Sequence, residues 1–399
     1  MKFFNFELGI EITSLVVLII SFLLVYFLTP KLIDIVRYIN TMDSPDGRSS
    51  HKEKTPNLGG ILFYASLIFS LYIIHYYDSG DVGYSIILGI TILFLVGLKD
   101  DLMVLAASTK LIAQIFAVVF VLMNPELYIF DFQDIQNVPN ISVFLSILIG
   151  GFIMIFIINA YNLIDGIDGL ASMLGIFIFS VYAVLFCKIG LNFYSLISIT
   201  SIGFLIGFLP HNLSKSNKIF MGDTGSMIVG FIIGLLTIRF LSVESLEFEQ
   251  IQIYSSNKII ITLAILFFPV TDVARVIIMR LINKRDPFKP DRCHMHHILI
   301  DKGLTHLKAS ITLTICGLII FFVIYLFNQY LSTLALSIVF VLWAITTFSI
   351  LLLLDSDSHA STYRKRFKAL FPRRIQIIEF RIRKKIIVML KKVFYKNML

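Results

Sequence analysis

Apolar residues run through this chain in blocks of roughly twenty, the length of helix that crosses the hydrocarbon of a bilayer. Eleven such blocks can be marked, centred near Ile20, Phe69, Leu93, Phe116, Ile149, Phe177, Ile202, Ile232, Leu266, Phe321 and Ala344. Polar residues collect between them in short segments. The pattern predicts an all-α fold, a polytopic integral membrane helical bundle of about eleven transmembrane helices. Glu7 and Glu11 stand where a cleaved signal would carry basic residues, so the first block is expected to remain as a membrane anchor.

Composition agrees with the pattern. Of 399 residues, 57% are hydrophobic and 15% charged, a balance that no water-soluble fold of this length tolerates on its surface. The net charge of +8 raises nucleic acid as a partner, but the charges sort by side of the membrane instead. With eleven spans and the N-terminus outside, the outer segments hold only Lys2, Lys188, Arg239 and Lys258. The other thirty of the 34 Lys and Arg then fall inside, as the positive-inside bias requires. The expected topology is therefore N-terminus outside, C-terminus inside, in a cytoplasmic (inner) membrane. The three cysteines, Cys187, Cys293 and Cys316, show no pairing spacing, so no disulfide framework is implied.

The inner segments are 30–57, 99–109, 159–168, 211–226, 280–308 and the tail after Asp355. The tail from His359 carries thirteen Lys and Arg against one acid, Glu379, interleaved with Phe, Ile and Leu. It reads as a basic amphipathic segment on anionic membrane lipids. Residues 1–355 thus form the membrane domain and 356–399 a basic cytoplasmic tail.

Every segment with candidate chemistry lies on the inner side. The third block ends in Gly97-Leu-Lys-Asp100-Asp101, which sets two carboxylates at the negative end of a helix, unfavourable without a cation. Lys99 and Lys110 are possible counter-charges, and a bound divalent metal is another. Consecutive helical residues point about a hundred degrees apart, so the two aspartates are expected to have different roles. The fifth block ends in Asn159-Ala-Tyr-Asn162-Leu-Ile-Asp165-Gly-Ile-Asp168-Gly169. Oxygen donors in a glycine-bearing turn suit a hard cation such as Mg²⁺; capping by Asn162 and Asp168 is the plainer alternative.

Before the eighth block stands Phe220-Met-Gly222-Asp223-Thr224-Gly225-Ser226, a helix start suited both to side-chain capping and to phosphate with a metal held by Asp223. Phe220 is placed either to stack on a base or to sit at the membrane interface. The largest inner loop contains Asp291-Arg292-Cys293-His294-Met-His296-His297. Adjacent side chains rarely close on one tetrahedral zinc, and Arg with His together fit anion binding by charge-assisted hydrogen bonds. Arg48 and His51, in the first inner loop, are weaker candidates for lipid phosphate. Asp272 and Arg275 are spaced to pair with each other.

From Asp43 to Gly303 these segments, in their order, resemble the polyprenyl-phosphate N-acetylhexosamine-1-phosphate transferases. That family includes the enzymes that start O-antigen, enterobacterial common antigen and teichoic-acid linkage synthesis, and the enzyme that makes lipid I. The resemblance implies a cytoplasmic site, a Mg²⁺ requirement with Mn²⁺ as an alternative, and two substrates, undecaprenyl phosphate (or a similar polyprenyl phosphate) and a UDP-N-acetylhexosamine. By motif, Asp100 and Asp101 match the family's catalytic aspartate pair, Lys110 a lysine near phosphate, and Asn162 and Asp223 the metal ligands. Asp165 and Asp168 match the nucleoside-side carboxylates, Phe220 the uracil-stacking position, and Arg292, His294, His296 and His297 the diphosphate-binding motif. Met295 interrupts the histidines, which favours GlcNAc 1-phosphate over a peptide-bearing sugar. The implied activity is a Mg-dependent sugar-1-phosphate transfer with release of UMP. The competing readings are a transporter or flippase for a polyprenyl-linked phosphate, and a lipid I-forming transferase.

Overall fold

A computed structural model describes residues 9–39, 55–78, 80–129, 142–282, 284 and 294–354. Arg48, His51, Arg292, Cys293 and the tail 356–399 lie outside the described residues. The described chain is helical, with no β-strand among the described residues. Its α-helices are α1 (Ile10–Ile39), α2 (Gly60–Ile74), α3 (Val82–Leu102), α4 (Ala107–Leu122), α5 (Val143–Ile164), α6 (Leu170–Ile189), α7 (Asn192–Asn212), α8 (Gly222–Leu241), α9 (Lys258–Ile265), α10 (Phe267–Ile282), α11 (Met295–Asp301), α12 (His306–Phe327) and α13 (Thr333–Leu354).

Eight helices, α1 to α3, α5 to α8 and α12, are long and apolar enough to cross a membrane, and the protein is a multi-pass membrane protein. The ninth block is not one straight helix. Its two halves, Ser255–Ile265 and Phe267–Leu281, meet at 73°. Pro269 explains the break: it has no N–H to give, and its ring would meet the carbonyl of residue 265 if the helix ran on. Eleven blocks are reached only by adding two shorter apolar helices, Ala107–Leu122 and Thr333–Ser349.

Helix α8 is the axis of the bundle. Of its apolar window, 94% is buried, against 28% for α1, so α8 meets protein on every side while α1 shows Leu15, Ile19 and Phe27 outward. It packs on α2, α3, α5 and α6. Lipid gives apolar helices little reason to associate, and close packing of small residues supplies one. Gly225 of α8 meets Gly60 of α2, and Gly230 meets the backbone of Ile158 on α5. Hydrogen bonds between spans add to this: Ser21 with Ser70 at 3.2 Å, Tyr64 with Thr91 at 3.0 Å, and Tyr182 with Thr237 at 2.8 Å.

The start of α8 is also tied to the start of α2 by backbone. Phe220 N–H donates to the Pro56 carbonyl at 2.7 Å, Gly59 N–H to Phe220 at 3.1 Å and Gly60 N–H to Met221 at 3.0 Å. One end of the central helix is thereby held by the chain segment just ahead of α2.

Candidate active site

The first turn of a helix leaves N–H groups without partners, and side chains of that turn commonly accept them. At α8 the N-cap, Met221, has no side-chain cap, and the acceptor comes from another helix. Asp101 Oδ1 accepts the Asp223 N–H at 2.8 Å, and Oδ2 accepts the Thr224 N–H at 3.1 Å and the Thr224 hydroxyl at 2.5 Å. A carboxylate that is badly placed for the dipole of α3 is well placed for that of α8. Gly222 makes the approach possible. Its φ is +71°, and a Cβ there would lie 2.7 and 2.8 Å from the Asp101 carboxylate oxygens and would strike the Asn57 carbonyl. Asn57 in turn donates to the Asp101 carbonyl at 3.2 Å.

Asp100 faces elsewhere, as the helical offset predicts. It lies 2.6 Å from Lys110 Nζ on α4 and accepts the Leu105 N–H at 2.7 Å. Lys110 also ion-pairs with Asp223. The other oxygen of Asp223 accepts from Asn162 Nδ2 at 3.1 Å, which also donates to Ser226 Oγ at 2.7 Å. Asp100, Lys110, Asn162 and Asp223 therefore converge from α3, α4, α5 and α8.

Two carboxylates meet there on one ammonium. Asp100, Asp223, the Asn162 amide and the Ser226 hydroxyl form an all-oxygen set that fits a hard divalent cation. Among the described residues no three His, Cys, Asp or Glu are grouped to hold a metal. Mg²⁺ usually takes one or two carboxylates and fills its other positions with water and substrate phosphate.

Beside this centre runs the α5–α6 turn. Asp165 has no hydrogen-bond donor or ion-pair partner among the described residues, and burial, followed by the charges of Asp223, Asp168 and Asp101, pushes its carboxyl well above the usual range. Asp168 is the opposite case. Burial raises it, but Lys218 at 2.7 Å and His306 Nδ1 at 2.8 Å outweigh burial and hold it below the usual range. Asp168 does not cap α6, whose N-cap is Gly169. Instead Asn212 accepts the Gly169 N–H at 2.6 Å and donates to the Ile219 carbonyl at 3.0 Å, so the turn is tied to the strip carrying Phe220. Lys218 Nζ stands 5.1 Å from the Phe220 ring centre.

The histidines occupy α11 and its N-cap. His294 Nδ1–H donates to Asp272 Oδ2 at 2.8 Å, and Arg275 donates to Asp272 Oδ1 at 3.0 Å, the expected pair. His296 is buried, and the largest effect on it is that burial, with His297 next; together they hold its pKa well below the ordinary value. Burial thus disfavours a charge on this ring.

Of the residues singled out from sequence, Asp100, Asp101, Lys110, Asn162 and Asp223 form one hydrogen-bonded and ion-paired group. Asp168 and Phe220 share Lys218, and the histidines form their own buried cluster. Asn57, Asn212, Lys218 and His306 were missed. All four belong to the inner segments by charge topology, and Lys218 lies two residues before Phe220; none carries a local pattern of its own.

Comparison with known proteins follows the same segments. Residues 84–241, which run from the first turn of α3 to the end of α8 and hold every residue of the convergent group, match the family model for Glycosyl transferase family 4. A probable undecaprenyl-phosphate N-acetylglucosaminyl 1-phosphate transferase of Bacillus subtilis is 29% identical over 313 residues, 77% of this chain and 83% of the relative. A phospho-N-acetylmuramoyl-pentapeptide-transferase of Staphylococcus carnosus is 33% identical over 252 residues, covering 58% and 78%. A decaprenyl-phosphate N-acetylglucosaminephosphotransferase of Mycobacterium leprae is 26% identical over 308 residues, covering 72% and 77%. With the aspartate pair, the Asn162 turn and the Asp223 helix start all inside the shared region, the chain belongs to glycosyl transferase family 4, the polyprenyl-phosphate sugar-1-phosphate transferases.

Proposed function

We propose that this protein transfers N-acetylglucosamine 1-phosphate from its UDP-sugar to undecaprenyl phosphate, releasing UMP and forming the first lipid-diphosphate-linked sugar of a cell-envelope polysaccharide. The observation that carries the reading is the meeting of Asp100, Lys110, Asn162 and Asp223 from four helices at one end of α8. The names of the relatives supply the substrates. The acceptor's phosphate oxygen attacks the β-phosphorus, the bond from that phosphorus to the bridging oxygen breaks, and the electron pair leaves with UMP.

Such a transfer asks the protein for position and charge neutralisation. Mg²⁺, or Mn²⁺ in its place, would be held by Asp223 and Asn162 and would supply charge neutralisation at the diphosphate oxygens. Lys110 adds a fixed positive charge at the same point, and Asp101 fixes the backbone from which Asp223 projects. Asp165, Asp168 and Phe220 are assigned to the nucleoside end. Arg292, His294 and His297 are assigned to the diphosphate, with Arg48 and His51 toward the lipid phosphate. A phosphate monoester has a second pKa of about 6 and is already largely ionised at neutral pH, so Asp100 has little proton to remove and serves chiefly to hold Lys110.

We place the site on the cytoplasmic side of the inner membrane because the Lys and Arg excess lies on the segments that build it. The thirteen-fold basic tail is assigned to anionic headgroups on that side. A lipid I-forming reading has one observation in its favour, the 33% identity to the pentapeptide transferase; the acetylglucosamine relatives align over more of this chain, and Met295 separates His294 from His296.

Purified protein supplied with undecaprenyl phosphate, Mg²⁺ and UDP-GlcNAc is expected to release UMP, and UDP-MurNAc-pentapeptide is expected to release none. UMP from neither sugar would end the transferase reading, and UMP from the pentapeptide substrate alone would replace it with the second.

A further inference from the structure

We propose that Asp272 is a positioning residue for the histidine segment, acting on sugar-phosphate transfer through His294; this rests on the transferase reading above. Asp272 is 1% exposed on α10, and an ionisable side chain inside a membrane protein needs partners. It has three. Arg275, one turn along the same helix, donates at 3.0 Å. The other two come from consecutive residues far along the chain: His294 Nδ1–H at 2.8 Å and the Met295 N–H at 3.0 Å.

Arg275 alone would neutralise the carboxylate. The two further donors do something Arg275 cannot, because they fix where α11 begins. Met295 is the first residue of α11, and His294 is its N-cap, which has no capping bond from its own side chain. The Asp272 carboxylate takes over that capping role from another helix, as Asp101 does at α8.

The same contact sets the histidine's chemistry. A carboxylate only accepts, so the ring proton facing it must be on Nδ1. Nε2 is left without a partner among the described residues, and it is not sealed from solvent. His296 stacks nearly parallel to His294, with ring centres 5.7 Å apart at 9°, and its centre lies 4.3 Å from that of His297. The His296 ring also lies directly against Gly166, beside Asp165. One buried carboxylate therefore sets the aim of His294 Nε2 and the seat of the histidine array against the α5–α6 turn. Groups that orient a metal-bound histidine typically cost tenfold or more when removed, and a histidine aimed at phosphate makes the same demand for orientation.

The test is a double-mutant cycle on purified protein, Asp272→Asn with His294→Gln, read by UMP release. Asp272→Asn keeps the volume and an acceptor oxygen but loses the charge. It is expected to lower kcat roughly ten- to hundredfold with the KM for UDP-GlcNAc little changed. The double variant is expected to be no slower than His294→Gln alone. Losses that multiply, or a wild-type kcat in Asp272→Asn, would overturn the proposal. If Asp272→Asn fails to fold, Asp272→Glu takes its place in the cycle with the same expectation. Proton NMR of histidine-labelled protein gives a readout independent of turnover: a downfield Nδ1 proton absent in His294→Gln and displaced in Asp272→Asn. A resonance unmoved by Asp272→Asn would refute the contact. Failure of the wild type to release UMP would strike the transferase reading and leave this resonance to decide the pairing.

Discussion

Asp101, on the last turn of α3, accepts both the main-chain N–H of Thr224 at 3.1 Å and its hydroxyl at 2.5 Å. One side chain thus joins the end of one span to the start of another. It also holds the N–H of Asp223, so the direction in which Asp223 leaves the helix depends on it. Losing a helix cap costs about 1 kcal/mol and up to about 2. Asp101→Ala is expected to lower the melting temperature in detergent and to reduce UMP release far more than that loss of stability explains. Thr224→Val, which loses only the hydroxyl bond, should be milder in both. Full turnover in Asp101→Ala would show that Asp223 is placed without it.

Asp223 shares Lys110 with Asp100 and accepts from Asn162. Asp223→Asn keeps the shape but replaces a carboxylate oxygen with an amide and removes a charge. Turnover should vanish at ordinary Mg²⁺ concentrations, while the melting temperature changes little because Lys110 keeps Asp100. Mn²⁺ binding, followed by electron paramagnetic resonance of purified protein without substrate, should weaken at least tenfold, the loss of about 1.4 kcal/mol. Unchanged Mn²⁺ affinity would remove Asp223 from the metal site.

Helix α3 reaches α8 because Gly97 has no side chain. A Cβ there would lie 2.5 Å from Thr224 Cα and 2.9 Å from its nitrogen, which is backbone and cannot turn aside. Gly97→Val should therefore part the two helices, cost about 1–3 kcal/mol by overpacking, and withdraw Asp101 from its cap. Gly151→Ala is the control, since its added Cβ would meet only Leu122 and Val118 at 3.8 and 3.9 Å. Thermal melts and UMP release of the two variants should differ sharply, and equal behaviour would argue against the tight α3–α8 approach.

Much of this was legible in the chain itself, for physical reasons. A span announces itself through twenty apolar residues, so the order of membrane helices could be read directly. The bend at Leu266 was missed because an apolar count is blind to one proline; Pro269 carried the signal. Asp100 and Asp101 were expected to part ways, and they do, since the helical offset is local geometry. That Asp101 caps α8 was not legible, because its partner Thr224 is 123 residues away. Lys218, His306 and Asn212 were missed for the same reason: they matter by where the fold delivers them. The spacing of Asp272 and Arg275 predicted their pairing, but not that His294 would join them across 22 residues.

The acid limit of stability is expected to depend on Asp168. Its carboxyl is pushed up by burial, and the hydrogen bonds and charges of His306 and Lys218 more than reverse this, so its folded pKa lies below the usual value, about 3.9 in an unfolded chain. A group with a depressed folded pKa contributes stability that is complete above its unfolded pKa and is lost as pH falls through the folded one. At neutral pH the contribution is therefore fully present, and the α5–α6 turn stays tied to Lys218 and His306 until well into acid. Lys218→Met and His306→Gln each remove a lowering influence and leave burial less opposed. In both, the folded pKa should rise, and the acid fall in melting temperature should move to higher pH. Asp168→Asn should abolish that part of the pH dependence altogether. Melting temperatures that fall at the same acid pH as the wild type in both Lys218→Met and His306→Gln would mean that Asp168 does not set the acid edge of stability.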